Sequence, residues 1–325
     1  MKPILEVNNL VAHFHTRRGI VRAVDGVSFS IGEGETVGVV GESGSGKTVC
    51  QLSYLRLLPE PPLRIKGGEA KLEGLDLLKA TPAQLRSIRG NHVSMIFQEP
   101  MTSLNPYLTV GKQLCEPLQI HAKMSRAEAA KEAARALERV GIADAEKALG
   151  RYPHEFSGGM RQRVMIAMAL TTKPKLLIAD EPTTALDVTV QAQILQLLRD
   201  IQKETGMAIL FITHDLGVIA SIAQKVVVMY AGRVMERGTV DEVFHSTRHP
   251  YTQALLRSTP RLDIDQGKLP TIPGNPPDLS RLGEGCPFFG RCSYQMPVCE
   301  SAFPPARTGA NPEHQGYCHL ETLPR

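Results

Sequence analysis

The sequence contains no apolar stretch that approaches the roughly 20 residues a helix needs to cross a bilayer. Residues 1–11 lack the basic segment followed by an apolar segment that marks a secretory signal. Basic runs with interleaved aromatic residues are also missing, and the net charge of +4 is mild, which argues against a nucleic-acid partner. These absences predict a cytosolic chain, or one docked to a membrane through other proteins.

The six cysteines are unevenly placed. Disulfides are rare in cytosolic proteins, so we expect free thiols, and we expect Cys50 and Cys115, which lie alone, to be packing residues. The other four cysteines and eleven of the 23 prolines fall within residues 260–325. Proline interrupts regular structure, which predicts that this segment forms neither a regular helix nor a sheet. We therefore expect an appended, loop-rich module at 259–325, after a first domain at 1–258.

A phosphate-binding loop follows the apolar run at 36–40. Residues 41–48 read Gly-Glu-Ser-Gly-Ser-Gly-Lys-Thr and match the pattern GxxxxGK[ST]. A chance glycine-rich turn with this pattern is expected in only about one or two chains per hundred. Glycines let backbone N–H groups turn inward around an anion, and the following helix points its positive end at the same place. The predicted nucleotide-binding residues are Gly41, Ser43, Gly44, Ser45, Gly46, Lys47, Thr48 and Val49, with the Lys47 charge on the outer phosphates and the Thr48 hydroxyl on Mg²⁺.

Short branched runs and helical periodicity alternate along the rest of the chain. Strands are predicted at 4–8, 27–31, 36–40, 93–97, 176–179 and 208–213, helices at 125–140, 164–170 and 190–203, and a hairpin at 226–236. Ser125 and Glu128 form the pattern of a capping box at the start of the first helix. Strands that alternate with helices predict a parallel sheet in an α/β fold.

Further motifs follow the phosphate loop in order. Gln98 ends a strand, Ser157-Gly158-Gly159 precedes an apolar helix, Asp180-Glu181 ends a buried strand, and Asp187 and His214 come after it. This order, over residues 1–255, resembles the ATP-binding cassette (ABC) family of transport ATPases. The resemblance implies a P-loop ATPase core of the RecA-like type, an antiparallel β-subdomain and a helical subdomain at about 98–172.

Each motif residue has an expected role. A buried acid such as Asp180 is costly unless it is paired or near a metal, so we expect it to bind Mg²⁺. Glu181 would activate the attacking water, and His214 would contact the γ-phosphate, so the predicted catalytic residues are Glu181, His214 and Lys47. The alternative without a catalytic role is a surface acid for Glu181 and a structural histidine for His214.

The resemblance assigns the remaining contacts of ATP and Mg²⁺. Gln98 would join Thr48 and Asp180 at the metal, and Asp187 lies in the loop after the catalytic acid. Ser157, Gly158 and Gly159 would cap ATP held by an opposite subunit. Phe14 would stack on adenine, although a buried core phenylalanine is the alternative.

Cys286, Cys292, Cys299 and Cys318 have the spacing C-x5-C-x6-C-x18-C. Four thiolates in a segment with little core suit a metal centre. Zinc favours tighter C-x2-C pairs, the looser spacing fits an iron–sulfur cluster at least as well, and non-ligating thiols are the alternative. Stretches 152–163, 249–252, 272–277 and 286–292 resemble the oligopeptide and dipeptide permease ATPases of bacteria. That resemblance implies a [4Fe–4S] cluster on the four cysteines, with a structural role.

The sequence therefore predicts an ATP-hydrolysing motor subunit of a peptide importer at the cytoplasmic face of the bacterial inner membrane. The implied partners are a homologous ATP-binding subunit, two transmembrane permease subunits and an extracytoplasmic peptide-binding protein. The permease subunits would dock on the stretch 98–118, for which a solvated linker is the alternative. Alternatives are an importer of nickel or glutathione, a soluble cassette ATPase acting on DNA or ribosomes, and an iron–sulfur electron carrier. A single cassette without heptads counts against the soluble ATPase.

Overall fold

A computed structural model of the protein describes residues 2–98, 103–184, 186–259 and 270–323. The strands in these ranges are β1 Pro3–Thr16, β2 Gly19–Gly32, β3 Thr36–Val40, β4 Leu63–Leu72, β5 Leu75–Asp76, β6 Val93–Ile96, β7 Leu176–Asp180, β8 Ala208–Ile212, β9 Lys225–Tyr230, β10 Arg233–Thr239, β11 Arg307–Thr308 and β12 Gln315–Gly316. Predicted strands 4–8 and 27–31 are parts of the longer β1 and β2, whereas 36–40 is confirmed as β3.

The helices in the same ranges are α1 Lys47–Tyr54, α2 Pro82–Ile88, α3 Val110–His121, α4 Arg126–Arg139, α5 Ala145–Ala148, α6 Gly158–Leu170, α7 Val188–Thr205, α8 Leu216–Ile222, α9 Val240–His245, α10 Pro250–Ser258 and α11 Pro297–Ser301. Within the described residues, no helix combines the length and the apolar character that a membrane span requires.

The chain divides into two compact units. The first comprises Met1–Ile4, Gly32–Glu35 and Ala80–Phe211, and the second comprises Leu5–Ile31, Thr36–Lys79 and Ile212–Arg325. The domain boundary predicted at 258/259 falls at the end of α10, inside the second unit, and stays a prediction.

The first unit combines three strands with a group of helices. Its strands lie in the order β6-β7-β8, and β6 runs parallel to β7. Every residue of β7 is buried, as expected for a parallel strand covered on both faces. Helices α3, α4 and α6 pack on one another, within the range of the predicted helical subdomain.

The amphipathic helix α4 confirms the local sequence signals. Ser125 Oγ accepts from the Glu128 backbone N–H at 3.3 Å, and Glu128 Oε2 accepts from the Ser125 backbone N–H at 2.9 Å, which is the predicted capping box. Ala129, Ala133 and Leu137 form its buried face. Gly141, with φ of +77°, follows the last turn, a conformation that glycine adopts without steric cost.

The second unit contains two sheets. An antiparallel sheet has the order β2-β1-β4-β5, and a mixed sheet has the order β11-β12-β10-β9-β3. Strand β3 runs parallel to β9, while β9 and β10 form the predicted hairpin. The antiparallel sheet corresponds to the β-subdomain that the resemblance implied.

The prediction that the C-terminal segment contains no regular structure is wrong. It forms the short helix α11 and the strands β11 and β12, and β12 pairs with β10 so that Gly316 lies opposite Glu236. Each proline removes a hydrogen-bond donor only at its own position. Residues 313–318 contain no proline, so their backbone remains able to extend the sheet.

Candidate functional site

The phosphate loop lies in the second unit between β3 and α1. All five residues of β3 are buried, so the loop starts from a fixed strand end. Gly41 has φ of +152°, and a Cβ there would lie 2.1 Å from Met229 O. Gly46 has φ of +96°, and its Cβ would lie 2.3 Å from Ala23 O. Both positions therefore require glycine.

Lys47 arches back over this loop. Its Nζ donates to Gly41 O at 2.7 Å and to Glu42 O at 3.1 Å, and the residue is buried. Ser43 and Gly44 at the loop tip are exposed, whereas Ser45 and Gly46 are buried. The ammonium group is thus placed inside a backbone cradle suited to an anion. Thr48 and Val49 follow in the first turn of α1.

His214 and Phe14 lie in the same unit. His214 is exposed, two residues beyond the end of β8, and the backbone N–H of Thr213 donates to Val39 O at 3.2 Å. This bond places the segment before His214 beside β3. Phe14 is half-buried in β1, opposite Leu63. Their contacts with γ-phosphate and adenine stay predictions.

Gln98, Asp180 and Glu181 lie in the first unit. Asp180 ends β7 and is 1% exposed, and its role toward Mg²⁺ stays a prediction. Glu181 follows with φ of +47°, a left-handed conformation that costs a non-glycine residue about 1 kcal/mol or more and often marks functional positions. This conformation turns the chain sharply at the strand end.

The structure brings Gln98 to Glu181. Gln98 Nε2 donates to Glu181 Oε2 at 3.1 Å, and Thr184 Oγ1 donates to the same oxygen at 2.9 Å. Both donors are neutral, so they orient the carboxylate without cancelling its charge. A carboxylate held in this way can accept a proton from water.

The sequence reasoning missed Thr184 and Gln162. Gln162 is 2% exposed in α6, and its Nε2 donates to Pro182 O, next to Glu181. Two signals were available: Thr184 lies three residues after Glu181, and Gln162 lies within a largely apolar helix, where a buried amide needs a partner.

The Ser157-Gly158-Gly159 stretch begins the 13-residue helix α6. Ser157 Oγ accepts from the Met160 N–H at 3.4 Å, and Ser157 and Gly158 are exposed. Asp187 likewise caps α7, accepting from the Val190 N–H at 3.0 Å. The capping contacts are structural, and a role of these residues toward nucleotide stays a prediction.

The C-terminal cysteines line one small cavity in the second unit. The cavity of about 20 Å³ is bordered by all four, together with His249 and Phe288. Burial raises the pKa of the Cys286 thiol to about 12, and the other three cysteines add to the shift. All six cysteines are free thiols, and Cys50 is completely buried, as expected for a packing residue. Among the described residues, no group of three or more Cys, His, Asp or Glu is placed to hold a metal ion.

Two family patterns match this chain. The ABC transporter pattern matches residues 24–184, and the pattern of the "Oligopeptide/dipeptide transporter, C-terminal region" matches residues 235–299. The chain is 54% identical over 301 residues to the oligopeptide transport ATP-binding protein OppD of Salmonella typhimurium, covering 93% of this chain and 89% of that protein. The chain belongs to the oligopeptide/dipeptide branch of the ABC transporter ATP-binding subunits.

Further similarities agree with this family. The ABC subunit is 52% identical over 303 residues to OppD of Bacillus subtilis, covering 93% of this chain and 85% of that protein. The ATP-binding cassette MJ0796, solved as a dimer in a post-hydrolysis state with ADP and Pi, is similar with a TM-score of 0.65. That similarity has 28% identity and covers 73% of this chain and 98% of the other. The predicted cassette fold is confirmed, and the ABC subunit is an ATPase that uses ATP with Mg²⁺ to drive transport.

Proposed function

We propose that this ABC subunit is the motor of a bacterial peptide importer, bound peripherally to the cytoplasmic face of the membrane. The observation that carries the proposal is the match of residues 235–299 to the C-terminal region of oligopeptide/dipeptide transporters. The hydrolytic residues Glu181 and His214 are both present, so the subunit is expected to turn over ATP itself. Selection among peptides then belongs to the binding protein and the membrane subunits.

The proposed catalysis consists of positioning and charge neutralisation around the γ-phosphate. Lys47 and His214 contact the phosphates, and Glu181 accepts the proton of the attacking water. The chemistry of Thr48, Gln98 and Asp180 fits Mg²⁺, a hard ion that prefers oxygen ligands. Bound Mg²⁺ would neutralise charge on the phosphates. Phe14 would receive the adenine ring.

A homologous subunit would complete the site. The exposed Ser157 and Gly158 begin a long helix whose N-terminal N–H groups favour an anion. This chain already has a phosphate loop of its own, so the second anion site is proposed to cap ATP bound to the partner, with Asp187 at the same interface. The similar cassette solved as a dimer supports this arrangement. We propose a heterodimer of paralogous subunits.

The stretch 98–118 is the proposed docking surface for two permease subunits. Residues 99–102 of this stretch lie outside the described part of the chain. Tyr107 within the stretch is 87% exposed, and the flanking Phe97 and Ile120 are 44% and 54% exposed. Large apolar side chains in water favour a protein partner.

We further propose a [4Fe–4S] cluster on Cys286, Cys292, Cys299 and Cys318. Their chemistry fits, because four thiols converge on one cavity. The cavity as it stands holds about one water molecule, so the cysteine loops must move outward to admit a cluster. The described residues form no group that is already placed to hold a metal ion, so zinc, with sulfur ligands at about 2.3 Å, would also require the thiols to move. The proposed role is structural.

Reconstitution of the complete transporter tests the motor function. ATPase activity of the complex with its binding protein is expected to rise when short peptides are added. Stimulation by nickel or glutathione instead of peptides would assign the other substrates. In the same complex, Tyr107→Ala is expected to weaken this stimulation while the subunit still binds ATP. Ile20→Ala, an exposed apolar residue of the second unit, is the matched control.

Metal analysis tests the cluster. Protein made and purified without oxygen is expected to be brown, with about four irons per chain. Cys292→Ser should reduce the iron content, whereas Cys115→Ser, which alters a half-buried thiol outside the cavity, should not. Colourless protein with one zinc per chain would contradict the cluster.

A further inference from the structure

Arg291 directly precedes Cys292 in the C-terminal module and uses every N–H group of its guanidinium. Nε donates to Pro273 O at 2.8 Å, and Nη2 donates to Ile272 O at 3.4 Å. Nη1 donates to the Tyr230 hydroxyl at 3.1 Å. The two remaining N–H groups donate to a single carboxylate, that of Glu42. Five donors in a rigid plane fix the position of this side chain.

Glu42 is the second residue of the phosphate loop. Arg291 Nη1 lies 2.5 Å from Glu42 Oε2, and Nη2 lies 3.0 Å from Oε1, which is the bidentate geometry of a strong ion pair. The side chains are 7% and 25% exposed, so water screens this pair far less than a surface pair. Residues 249 positions apart in sequence therefore meet at the nucleotide-binding loop.

A second contact reaches the backbone of the same residue. The Tyr251 hydroxyl accepts from the Glu42 N–H at 2.9 Å. Phe288 packs against Tyr251 and Tyr230 with ring centroids 5.2 Å and 5.4 Å apart. Both Phe288 and Arg291 lie between Cys286 and Cys292. One short segment of the C-terminal module thus binds the side chain of Glu42 directly and packs against the tyrosine that binds its main chain.

The charge of Glu42 makes this contact relevant to nucleotide. An unpaired carboxylate in the phosphate loop would repel a polyphosphate. At an effective dielectric constant of about 20, two like unit charges about 10 Å apart repel strongly enough to change an affinity by roughly tenfold. Arg291 cancels that repulsion and keeps the loop in place. A purely structural anchor would act on the position of the loop but would be indifferent to the sign of the charge.

We propose that Arg291 is a positioning residue of the nucleotide site, through which the C-terminal module sets the affinity of the phosphate loop for ATP. The inference deepens the proposed motor function and does not depend on the proposed cluster. If the protein contained no iron, the proposed cluster would be contradicted, but the proposed role of the Arg291–Glu42 ion pair would be unaffected.

The test compares dissociation constants of the full-length subunit for MgATP, at one salt concentration. Arg291→Gln is expected to weaken binding about tenfold, because Glu42 is left as an uncancelled charge. Glu42→Gln should bind as tightly as the unaltered protein or more tightly. The double variant should return to within about threefold of the unaltered protein. Arg281→Gln, an exposed arginine of the same module, is the matched control.

The direction in which each variant changes the affinity for MgATP decides whether the proposal stands. Equal affinities of Arg291→Gln and Arg281→Gln would overturn the proposal. Equal weakening in Arg291→Gln, Glu42→Gln and the double variant would also overturn it, since that result describes an anchor without an electrostatic role. Arg291→Lys keeps the charge but not the bidentate geometry, and it should bind more tightly than Arg291→Gln. Circular dichroism of each variant establishes that it is folded, and Arg291→Lys replaces Arg291→Gln if the latter is not.

Discussion

Glu42 and Glu181 each follow a five-residue strand that is buried along its whole length, β3 in the second unit and β7 in the first. Arg291 holds Glu42 with a guanidinium that cancels the negative charge. Gln98 and Thr184 hold Glu181 through neutral donors, which orient the carboxylate without cancelling its charge. The contacts named here therefore differ in kind, since a guanidinium pairs with Glu42 and two neutral groups orient Glu181. We propose that this difference suits Glu181 to act as a base and Glu42 to hold the phosphate loop.

The largest expected effect comes from Glu181→Gln. Glutamine keeps the shape and hydrogen-bonding oxygen of the side chain but cannot accept a proton from water. We expect ATP turnover of the assembled complex to fall by about 10²–10⁴-fold while MgATP binding is retained. Steady-state ATPase assays and nucleotide binding measure the two quantities separately.

Glu204→Gln is the control for this change. Glu204 belongs to the same unit and pairs with Arg139 on an exposed surface, so its neutralisation should leave turnover unchanged. Near-normal turnover of Glu181→Gln would show that Glu181 is not the base. The proposed difference in function between Glu181 and Glu42 would then be wrong.

Glu42→Gln should give the opposite signature. It leaves the nearly buried guanidinium of Arg291 without its counter-charge, which is expected to lower the free energy of unfolding by about 1–3 kcal/mol. Turnover per bound ATP should change little, because Glu42 is not expected to touch the attacking water. Thermal unfolding of Glu42→Gln and Glu181→Gln, side by side, checks the prediction. If Glu181→Gln lost more stability than Glu42→Gln, the expectation that Glu42 contributes more to stability would be wrong.

Features that depend on a few neighbouring residues could be predicted from the sequence. The phosphate loop followed a five-residue apolar run that is β3, and the capping box of Ser125 and Glu128 is formed as predicted. Both signals lie within a few neighbouring residues, where backbone sterics and hydrogen bonding decide the structure. The glycines at Gly41 and Gly46 are needed for equally local reasons.

Contacts between distant residues were not readable. Nothing near Arg291 in the sequence indicates Glu42, because the two meet only after the C-terminal module packs against the phosphate loop. The pairing of β12 with β10 has the same character. A single sequence without variation among relatives carries no signal for such pairs, and proline content was misleading because it acts only at its own positions.

The smallest predicted effect concerns Thr184, one of the two neutral donors that orient the Glu181 carboxylate. Thr184→Val keeps the branched shape and removes the hydroxyl that donates to Glu181 Oε2. One neutral hydrogen bond is worth about 0.5–1.5 kcal/mol, and Gln98 continues to hold the same oxygen. We therefore expect turnover to fall about threefold, with MgATP affinity unchanged.

Thr205→Val is the matched control, since the Thr205 hydroxyl bonds only backbone atoms at the end of α7. A loss of turnover as large as that of Glu181→Gln would mean that the hydroxyl takes part in the chemistry itself, because a lost orienting bond cannot account for so large a factor.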